Sequence, residues 1–316
     1  MDPHELAVEV ATRVHAAVSP HLATPENPNP PAPPVAIEEL AATTVRECLE
    51  EHGDVAFTVA GREPERFGTP SALLIVDPVD GLRPTAGGVD IGCVSIAVAP
   101  ADDAPSASVT LGQVSFGVIL ELATGQRYLA ERGAGAHAVE PDGAAIPIAP
   151  SDNTDLDALF WTAALRGRPS LPMTIVLEEL VDRSGQRGGY FDLGSAAFNC
   201  TRIITGTLGA YVDIGLRLLD EFPETEPAFL AAAGGAVSAT FPYDVAAAAL
   251  ILQEAGGVIT HADGRSLADH RAVGSGRAEG LAVLAAASAA LHAELLEAVD
   301  RGITHLGSWF TAARGG

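Results

Sequence analysis

Lysine is absent from this sequence of 316 residues, and all 18 basic residues are arginine. Aspartate and glutamate together number 41, so the formal net charge is -23 at pH 7. Because such a chain repels polyanions at long range, neither nucleic acid nor an anionic membrane is expected as a partner. The acidity is typical of a well-solvated surface, although a local group of carboxylates can also hold a cation.

Cysteine is scarce as well. The three cysteines, Cys48, Cys93 and Cys200, lie far apart and lack CxxC spacing, which indicates neither a disulfide framework nor a zinc site. Charged residues interrupt every apolar run before the roughly 20 residues that a membrane span requires. The N-terminus shows no basic segment followed by an apolar core, so no secretory signal is expected. We therefore predict a protein of the reducing cytoplasm.

Hydrophobic residues make up 47% of the chain, enough for a substantial core. Apolar spacing predicts helices over residues 5–18 and 35–51, separated by six prolines between residues 25 and 34. A buried strand is predicted over Ala72–Val76. Further strand-like runs, which predict an antiparallel meander, cover residues 92–99, 113–120 and 127–130.

A turn-rich segment at Ser151 divides the chain into two predicted domains, residues 1–150 and 151–316. In the second, apolar strands and helices are predicted to alternate, and its clearest elements cover residues 155–165, 174–183, 195–205 and 245–254. Late strands are predicted over 258–260 and 281–286, and a closing helix over 289–298.

The segment Asp-Pro-Val-Asp-Gly at residues 77–81 follows the buried strand. Its carboxylates, Asp77 and Asp80, can converge on one point together with the Val79 carbonyl, and hard cations such as Mg2+ prefer oxygen ligands of this kind. Gly81 has no Cβ, which would let a phosphate approach the backbone beyond it. An ordinary turn rich in aspartate is the alternative interpretation.

Asp244 stands at the start of an alanine-rich helical segment that ends at Gly256 and Gly257. A carboxylate at a helix N-terminus is stabilised by the helix dipole and by free N–H groups. Asp244 is therefore either a third metal ligand or a plain helix cap.

Taken together, these segments resemble the inositol monophosphatase and fructose-1,6-bisphosphatase superfamily, in which a strand ends in Asp-Pro-x-Asp-Gly and a later Trp-Asp-x-Ala-Ala leads to Glu-Ala-Gly-Gly. The resemblance runs in order from about residue 5 to residue 298. It also includes residues 113–118, 127–136, 194–200 and 209–213. The resemblance implies an α/β fold, a five-layered αβαβα sandwich that usually forms a homodimer, and phosphate monoester hydrolysis through metal-activated water.

The resemblance also implies roles for individual residues. The implied metal ligands are Asp77, the Val79 carbonyl, Asp80, Asp244 and Glu63, and the implied catalytic residues are Asp77, Asp80 and Glu63. The implied substrate contacts are Asp80, Gly81, Leu82, Gly194, Ser195, Ala196, Asp213 and Asp244. From the residues alone, Ser195 is equally well a helix cap and Asp213 a solvated strand end.

Several positions depart from the family pattern. Leu82 stands where the family usually has a threonine that orients the attacking water, and leucine forms no hydrogen bond through its side chain. The family's upstream acidic pair falls at Arg62 and Glu63, and Pro34 lies close to an expected aspartate. Residues 216–243 form an insert that could be a lid, a partner surface or a tolerated surface insertion.

Two functions therefore compete. The first is a Mg2+-dependent phosphatase, a phosphoric monoester hydrolase acting on a small sugar or cyclitol phosphate. It is favoured because carboxylates on separate segments repel one another unless a cation neutralises them. The second is a degenerate family member that only binds a ligand, or that catalyses a non-hydrolytic reaction. Leu82, Arg62 and Pro34 favour this alternative.

Overall fold

The computed structural model describes residues 1–22, 33–101 and 108–315. Most of the proline-rich stretch between the first two helices falls on residues 23–32, outside the described part of the chain. Within the described residues, two β-sheets alternate with three layers of helices.

The first sheet has eight strands, all from the first half of the chain. They are β1 (Val55–Val59), β2 (Glu65–Phe67), β3 (Ala72–Asp80), β4 (Cys93–Pro100), β5 (Phe116–Glu121), β6 (Arg127–Glu131), β7 (Gly135–Val139) and β8 (Ala145–Ile146). Their order across the sheet is β2-β1-β3-β4-β5-β6-β7-β8. β1 and β3 are parallel, and the pairs from β3 to β8 are antiparallel, which confirms the predicted meander.

The second sheet has five strands, all from the second half of the chain. They are β9 (Phe160–Ala163), β10 (Gly189–Phe191), β11 (Ala210–Asp213), β12 (Val258–His261) and β13 (Val283–Ala286), in the order β10-β9-β11-β13-β12. The neighbours of β9 are parallel to it and those of β13 antiparallel, so this sheet is mixed.

The helices lie on the outer faces of the sheets and between them. They are α1 (Pro3–Val18), α2 (Pro34–His52), α3 (Leu82–Ala86), α4 (Ser170–Ser184), α5 (Ala196–Ile204), α6 (Gly215–Glu221), α7 (Glu226–Ala232), α8 (Pro242–Glu254) and α9 (Ala289–Gly315). Both predicted N-terminal helices are confirmed. Pro34 begins α2, where its missing N–H costs nothing because the first turn has no partner for that group.

Three apolar clusters hold the layers together. One lies between α1, α2 and the first sheet, one surrounds α5 and α8 between the sheets, and one lies between the second sheet and α4 and α9. Because successive strand residues point to opposite faces, Leu74 of β3 enters the first cluster while Leu73 enters the middle one. The result is the predicted αβαβα sandwich.

The helices of the middle layer pack closely on the sheets. A Cβ atom on Gly117 of β5 would lie only 3.0 Å from the Cα of Ala247 in α8, so glycine and alanine are needed at this contact. The small residues of α8 therefore bring its first turn, with Asp244, close to the first sheet.

Three predicted elements have different boundaries in the structure. β3 continues through residues 77–80 instead of ending at Val76, and the helix predicted over 289–298 extends to Gly315. The insert 216–243 contains most of α6 and all of α7. Its buried Leu218 and Phe229 join the apolar cluster between the second sheet and α4 and α9. Part of the insert is therefore core. None of the helices in the described residues combines the length and apolarity needed to cross a membrane.

Candidate active site

Three carboxylates from separate segments meet between the two sheets. Asp77 and Asp80 lie at the end of β3, and Asp244 lies in the first turn of α8. One oxygen of each lies within 4.8 Å of an oxygen of the other two. We call these residues the aspartate triad. Among the described residues, it is the one group of three or more potential ligands gathered so closely.

A bulge in β3 places two members of the triad on the same side. Asp77 pairs with Ser95 of β4 and Asp80 pairs with Cys93, so three steps along β3 match two steps along β4. In a regular strand, residues three apart point to opposite faces, and the extra residue of a bulge removes this alternation. The backbone N–H of Val79 donates to Asp77 Oδ1 at 3.1 Å and stabilises the bent segment.

Asp80 is held by the N-terminus of α5. Ser195 Oγ donates to Asp80 Oδ2 at 2.8 Å, and the backbone N–H of Ala197 donates to the same oxygen at 2.7 Å. Gly81 makes this approach possible, because a Cβ atom there would lie 2.9 Å from the Cβ of Ser195. Its φ of 78° also favours glycine. One Asp80 oxygen is thus occupied by the protein.

Asp244 is oriented by its own helix. The backbone N–H of Phe241 donates to Asp244 Oδ2 at 2.6 Å, across the first turn of α8. The carboxylate therefore caps the helix and also faces the other two aspartates. The two roles left open by the sequence are compatible.

Burial makes the charged state of the triad unfavourable. Loss of water raises the pKa of Asp80 to about 6 and that of Asp244 to about 7, and it raises the pKa of Asp77 well above its usual range. The neighbouring negative charges contribute to the raised pKa values of Asp77 and Asp244. Hydrogen bonds from Ala197 and Ser195 partly offset the effect at Asp80.

No described arginine or histidine forms an ion pair with these carboxylates, and the charges of Arg166 and Arg168 only partly offset the raised pKa values of Asp80 and Asp244. Its potential donors are oxygens only, with neither sulfur nor imidazole in the group. Hard divalent ions such as Mg2+ prefer this donor set, and such an ion would neutralise the clustered charge. The residues therefore fit a divalent metal.

Two cavities flank the triad. The substrate cavity, with a volume of about 180 Å³, is lined by Asp80, Ala163, Ala164, Arg166, Arg168, Asp192, Gly194, Ser195, Ala196, Asn199, Tyr211, Ser238, Ala239, Thr240 and Asp244. The Asp77 cavity, with a volume of about 230 Å³, is lined by Glu38, Ala42, Val59, Ala60, Arg62, Asp77, Pro78, Val79, Leu82, Arg83 and Arg166. Arg166 borders both cavities.

Comparison with known proteins agrees with this geometry. The profile of the inositol monophosphatase family matches residues 36–303. The chain belongs to the inositol monophosphatase family. The resemblance seen in the sequence is thereby confirmed.

Individual relatives within the inositol monophosphatase family are distant. A fructose-1,6-bisphosphatase/inositol-1-monophosphatase of Methanothermobacter thermautotrophicus is 26% identical over 232 residues, which are 73% of this chain and 68% of the relative. The structure of an inositol monophosphatase from Anabaena (Nostoc) sp. superposes with a TM-score of 0.63 at 20% identity, covering 94% of this chain and 95% of the other. Inositol monophosphatase II from Staphylococcus aureus gives 0.64 at 18%, covering 98% and 94%.

Most of the inositol monophosphatase positions predicted from the sequence lie around the triad. Gly194, Ser195 and Ala196 line the substrate cavity beside Asp80, and Ser195 also caps α5. Val79 and Leu82 line the Asp77 cavity. The side chain of Leu82 packs against the cluster beneath α1 and α2, so it directs no polar group into the site.

Asp213 is arranged differently from the expected substrate contact. It is 0% exposed and lies outside the residues that line the substrate cavity. Its oxygens accept hydrogen bonds from Arg168 Nε (3.0 Å), Arg168 Nη2, Thr240 Oγ1 (2.7 Å) and the Gly215 N–H (2.9 Å). Because both oxygens already have partners, we leave Asp213 out of the substrate contacts that we propose.

Of the upstream pair, Arg62 reaches the site, where it lines the Asp77 cavity, and Glu63 does not. Arg62 donates to Glu39 at 2.7 Å, and the exposed Glu63 lines neither cavity. Glu38, on the first turns of α2, instead faces the Asp77 cavity. Which of these side chains reaches the site depends on the folded path of the segment between β1 and β2. The spacing of Arg62 and Glu63 in the sequence does not show that path.

Sequence reasoning missed the arginines of the substrate cavity. Arg166 and Arg168 follow the end of β9 in the segment Arg-Gly-Arg-Pro. A signal was available, because two closely spaced cations stand out in so acidic a chain and follow a strand whose end can face a site.

Proposed function

We propose that this member of the inositol monophosphatase family is a Mg2+-dependent phosphatase that hydrolyses a small sugar or cyclitol phosphate. The observation that carries the proposal is an aspartate triad, with Asp77 and Asp80 buried and Asp244 half-buried, that has no ion-pair partner among the described residues and opens to a small polar cavity. Three clustered carboxylates without a cation destabilise the fold, so their arrangement favours a bound ion.

In this proposal, Asp77, Asp80 and Asp244 hold Mg2+, with the Val79 carbonyl as a further ligand. When bound, the ion supplies Lewis acidity and lowers the pKa of water. Ser195 and the α5 N-terminus fix the Asp80 carboxylate, so the ligand is oriented before the ion binds. Gly81 leaves the start of α3 open to the phosphate, and Leu82 excludes water on the Asp77 side.

The substrate cavity favours a single polar ring. Its volume of about 180 Å³ is smaller than the roughly 300–1,000 Å³ of typical ligand pockets. Asn199 lines it, and the buried Oδ1 of this residue lacks a hydrogen-bond partner within the described residues. A substrate hydroxyl can donate to such an acceptor, and a ligand without that hydroxyl would leave it unpaired.

The test is release of inorganic phosphate from a panel of sugar and cyclitol phosphates, with Mg2+ or with EDTA. We expect Mg2+-dependent turnover that Asp80→Asn lowers more than about 100-fold, since even outer-shell partners of metals contribute about 10–100-fold. Asp182→Asn, on the exposed face of α4, is the matched control and should keep wild-type activity.

The alternative is a ligand-binding or non-hydrolytic member, which the absent hydroxyl at Leu82 and the exposed Glu63 favour. A folded protein that binds Mg2+ and phosphate but releases none from any substrate would establish that alternative. A homodimer and a cytoplasmic location remain predictions, which sedimentation and cell fractionation would check.

A further inference from the structure

Arg166 is an exposed cation at the edge of the aspartate triad. It lies three residues after the end of β9 and borders both the substrate cavity and the Asp77 cavity. Its Nη2 donates to the Gly194 carbonyl at 3.2 Å, and it forms no ion pair within the described residues. Because its charge is not paired with any described carboxylate and lies where the cavity opens beside the triad, the guanidinium is available to an anionic ligand.

The guanidinium lies directly against the backbone beside Ser195. A Cβ atom on Gly194 would lie 3.0 Å from both Cζ and Nη2 of Arg166. Gly194 has a φ of 73° and is followed by Ser195, which donates to Asp80. The contact therefore places the positive charge next to a triad residue, where it partly offsets the effect of burial on the pKa of Asp80.

The backbone at Arg166 is held in place by Arg168. Arg168 Nη1 donates to the Arg166 carbonyl at 3.0 Å, while the other nitrogens of Arg168 bind Asp213. Arg168 and Asp213 are both buried, so this ion pair fixes the loop with little freedom. Asp213 thereby acts on the site through Arg168.

We propose that Arg166 binds the phosphate group of the substrate at the triad, and that the Arg168–Asp213 pair positions it. One divalent ion does not cancel three carboxylates, so an incoming phosphate dianion would still meet net negative charge. A guanidinium supplies that missing charge and donates two parallel hydrogen bonds to phosphate oxygens. The nature of the substrate rests on the proposed function, whereas binding of inorganic phosphate does not.

The test is calorimetric titration of the full chain with inorganic phosphate in the presence of Mg2+. Arg166→Gln should weaken phosphate binding by about 10-fold to 100-fold, the range for losing hydrogen bonds to a charged group. Arg166→Lys should restore part of the affinity, since it keeps the charge but lacks the planar fork. The control is Arg187→Gln, an exposed arginine paired with Asp155, which should bind phosphate like the wild type.

A double-mutant cycle tests the geometry. The Cβ atom of Gly194→Ala would lie 3.0 Å from the guanidinium and push it aside, so this change should weaken phosphate binding in the wild type. In the Arg166→Gln background the loss should be smaller, because the displaced group is gone and only the strain of alanine at a φ of 73° remains. Equal losses in both backgrounds would assign the effect to backbone strain and overturn the proposed contact.

The outcomes separate the two proposals. If the wild type binds phosphate and Arg166→Gln does not, but no substrate is hydrolysed, the role of Arg166 stands and the phosphatase function falls. If Arg166→Gln binds phosphate as tightly as the wild type, or the wild type with Mg2+ binds none, the role of Arg166 is wrong. Mg2+ titration without phosphate should show that Arg166→Gln binds the ion at least as tightly as the wild type, because a nearby positive charge has been removed, and a loss there would assign the change to the metal site.

Discussion

The ends of β3 and β11 each carry a buried aspartate, but among the described residues only the aspartate of β11 forms an ion pair. Asp80 ends β3 in the first sheet and Asp213 ends β11 in the second, with exposures of 8% and 0%. Asp213 has a resident cation, because Arg168 binds both of its oxygens. Asp80 has two further carboxylates beside it and no ion pair with any described residue.

The difference separates structural carboxylates from functional ones. A buried charge is tolerated when the chain supplies its counterion, as Arg168 does for Asp213. A buried cluster without a counterion is stable only with protons or with an ion from solution. The local sequence around the two aspartates does not reveal this distinction, since each aspartate is the last residue of a mainly apolar strand.

Breaking the Asp213 arrangement should have the largest effect on stability. Asp213→Asn leaves Arg168 buried without its partner, so we expect the free energy of unfolding in urea to fall by about 3–5 kcal/mol. Adding Arg168→Met should recover part of this loss, because the unpaired charge is then removed. A double variant that loses the sum of the two single losses would show that the residues act independently.

The stability of the metal-free protein should decrease as pH rises, because of the raised pKa values in the triad. The folded-state pKa values of Asp80 and Asp244 are raised to about 6 and about 7, whereas the pKa of an unfolded aspartate is about 3.9. The folded state thus holds extra protons in this window, and stability is lost as pH rises through it. In EDTA, the melting temperature should fall by several degrees between about pH 5 and about pH 8.

Mg2+ should offset that fall, and its stabilising effect should grow with pH because protons and the ion compete for the same oxygens. Thermal unfolding followed by circular dichroism, with EDTA or Mg2+, measures both trends. A melting temperature in EDTA that stays constant or rises over this window would contradict the triad electrostatics described above.

Removing one triad charge should stabilise the metal-free protein, in contrast to the loss at Asp213. Asp244→Asn keeps an oxygen that can accept from the Phe241 N–H but relieves repulsion with its neighbours. We expect a gain of roughly 1 kcal/mol in urea unfolding with EDTA, the size typical of optimised charges. The variant should also lose the stabilisation by Mg2+. Destabilisation equal to that of Asp213→Asn would remove the contrast between the two sites.

The smallest predicted effect is on phosphate release, and it should differ between variants of Glu38 and Glu63. Glu38 faces the Asp77 cavity, whereas Glu63 lines neither cavity, and both side chains are exposed. We expect Glu38→Gln to lower phosphate release by about threefold to tenfold, through a weaker field around the metal, and Glu63→Gln to leave it unchanged. The opposite result would return Glu63 to the ligand set that the family resemblance implies.

Apolar periodicity and turn residues were sufficient to predict many of the helices and strands, whereas the layered arrangement was implied by the family resemblance. The meander of the first sheet, the first two helices and the alanine-rich helix before Gly256 were all expected, because these patterns are local. The bulge in β3 was not, since the Asp-Pro-Val-Asp segment also fits a turn, and only pairing with Ser95 and Cys93 of β4 shows that the strand continues. The family resemblance implied that Glu63 belongs to the site. Its exposed position could not be predicted, because sequence spacing carries no information on burial.

By itself, the sequence determined most of the helices and strands, because periodicity is a property of neighbouring residues, and its resemblance to the family implied the αβαβα architecture and the three aspartates of the triad. Tertiary structure alone decided which charges meet. Arg168 and Asp213 are 45 residues apart and Ser195 and Asp80 are 115 apart, yet both pairs are in contact. Burial and pairing set the free energy of a charge, so the structural role of Asp213 and the exposed guanidinium of Arg166 become visible only once the chain is folded.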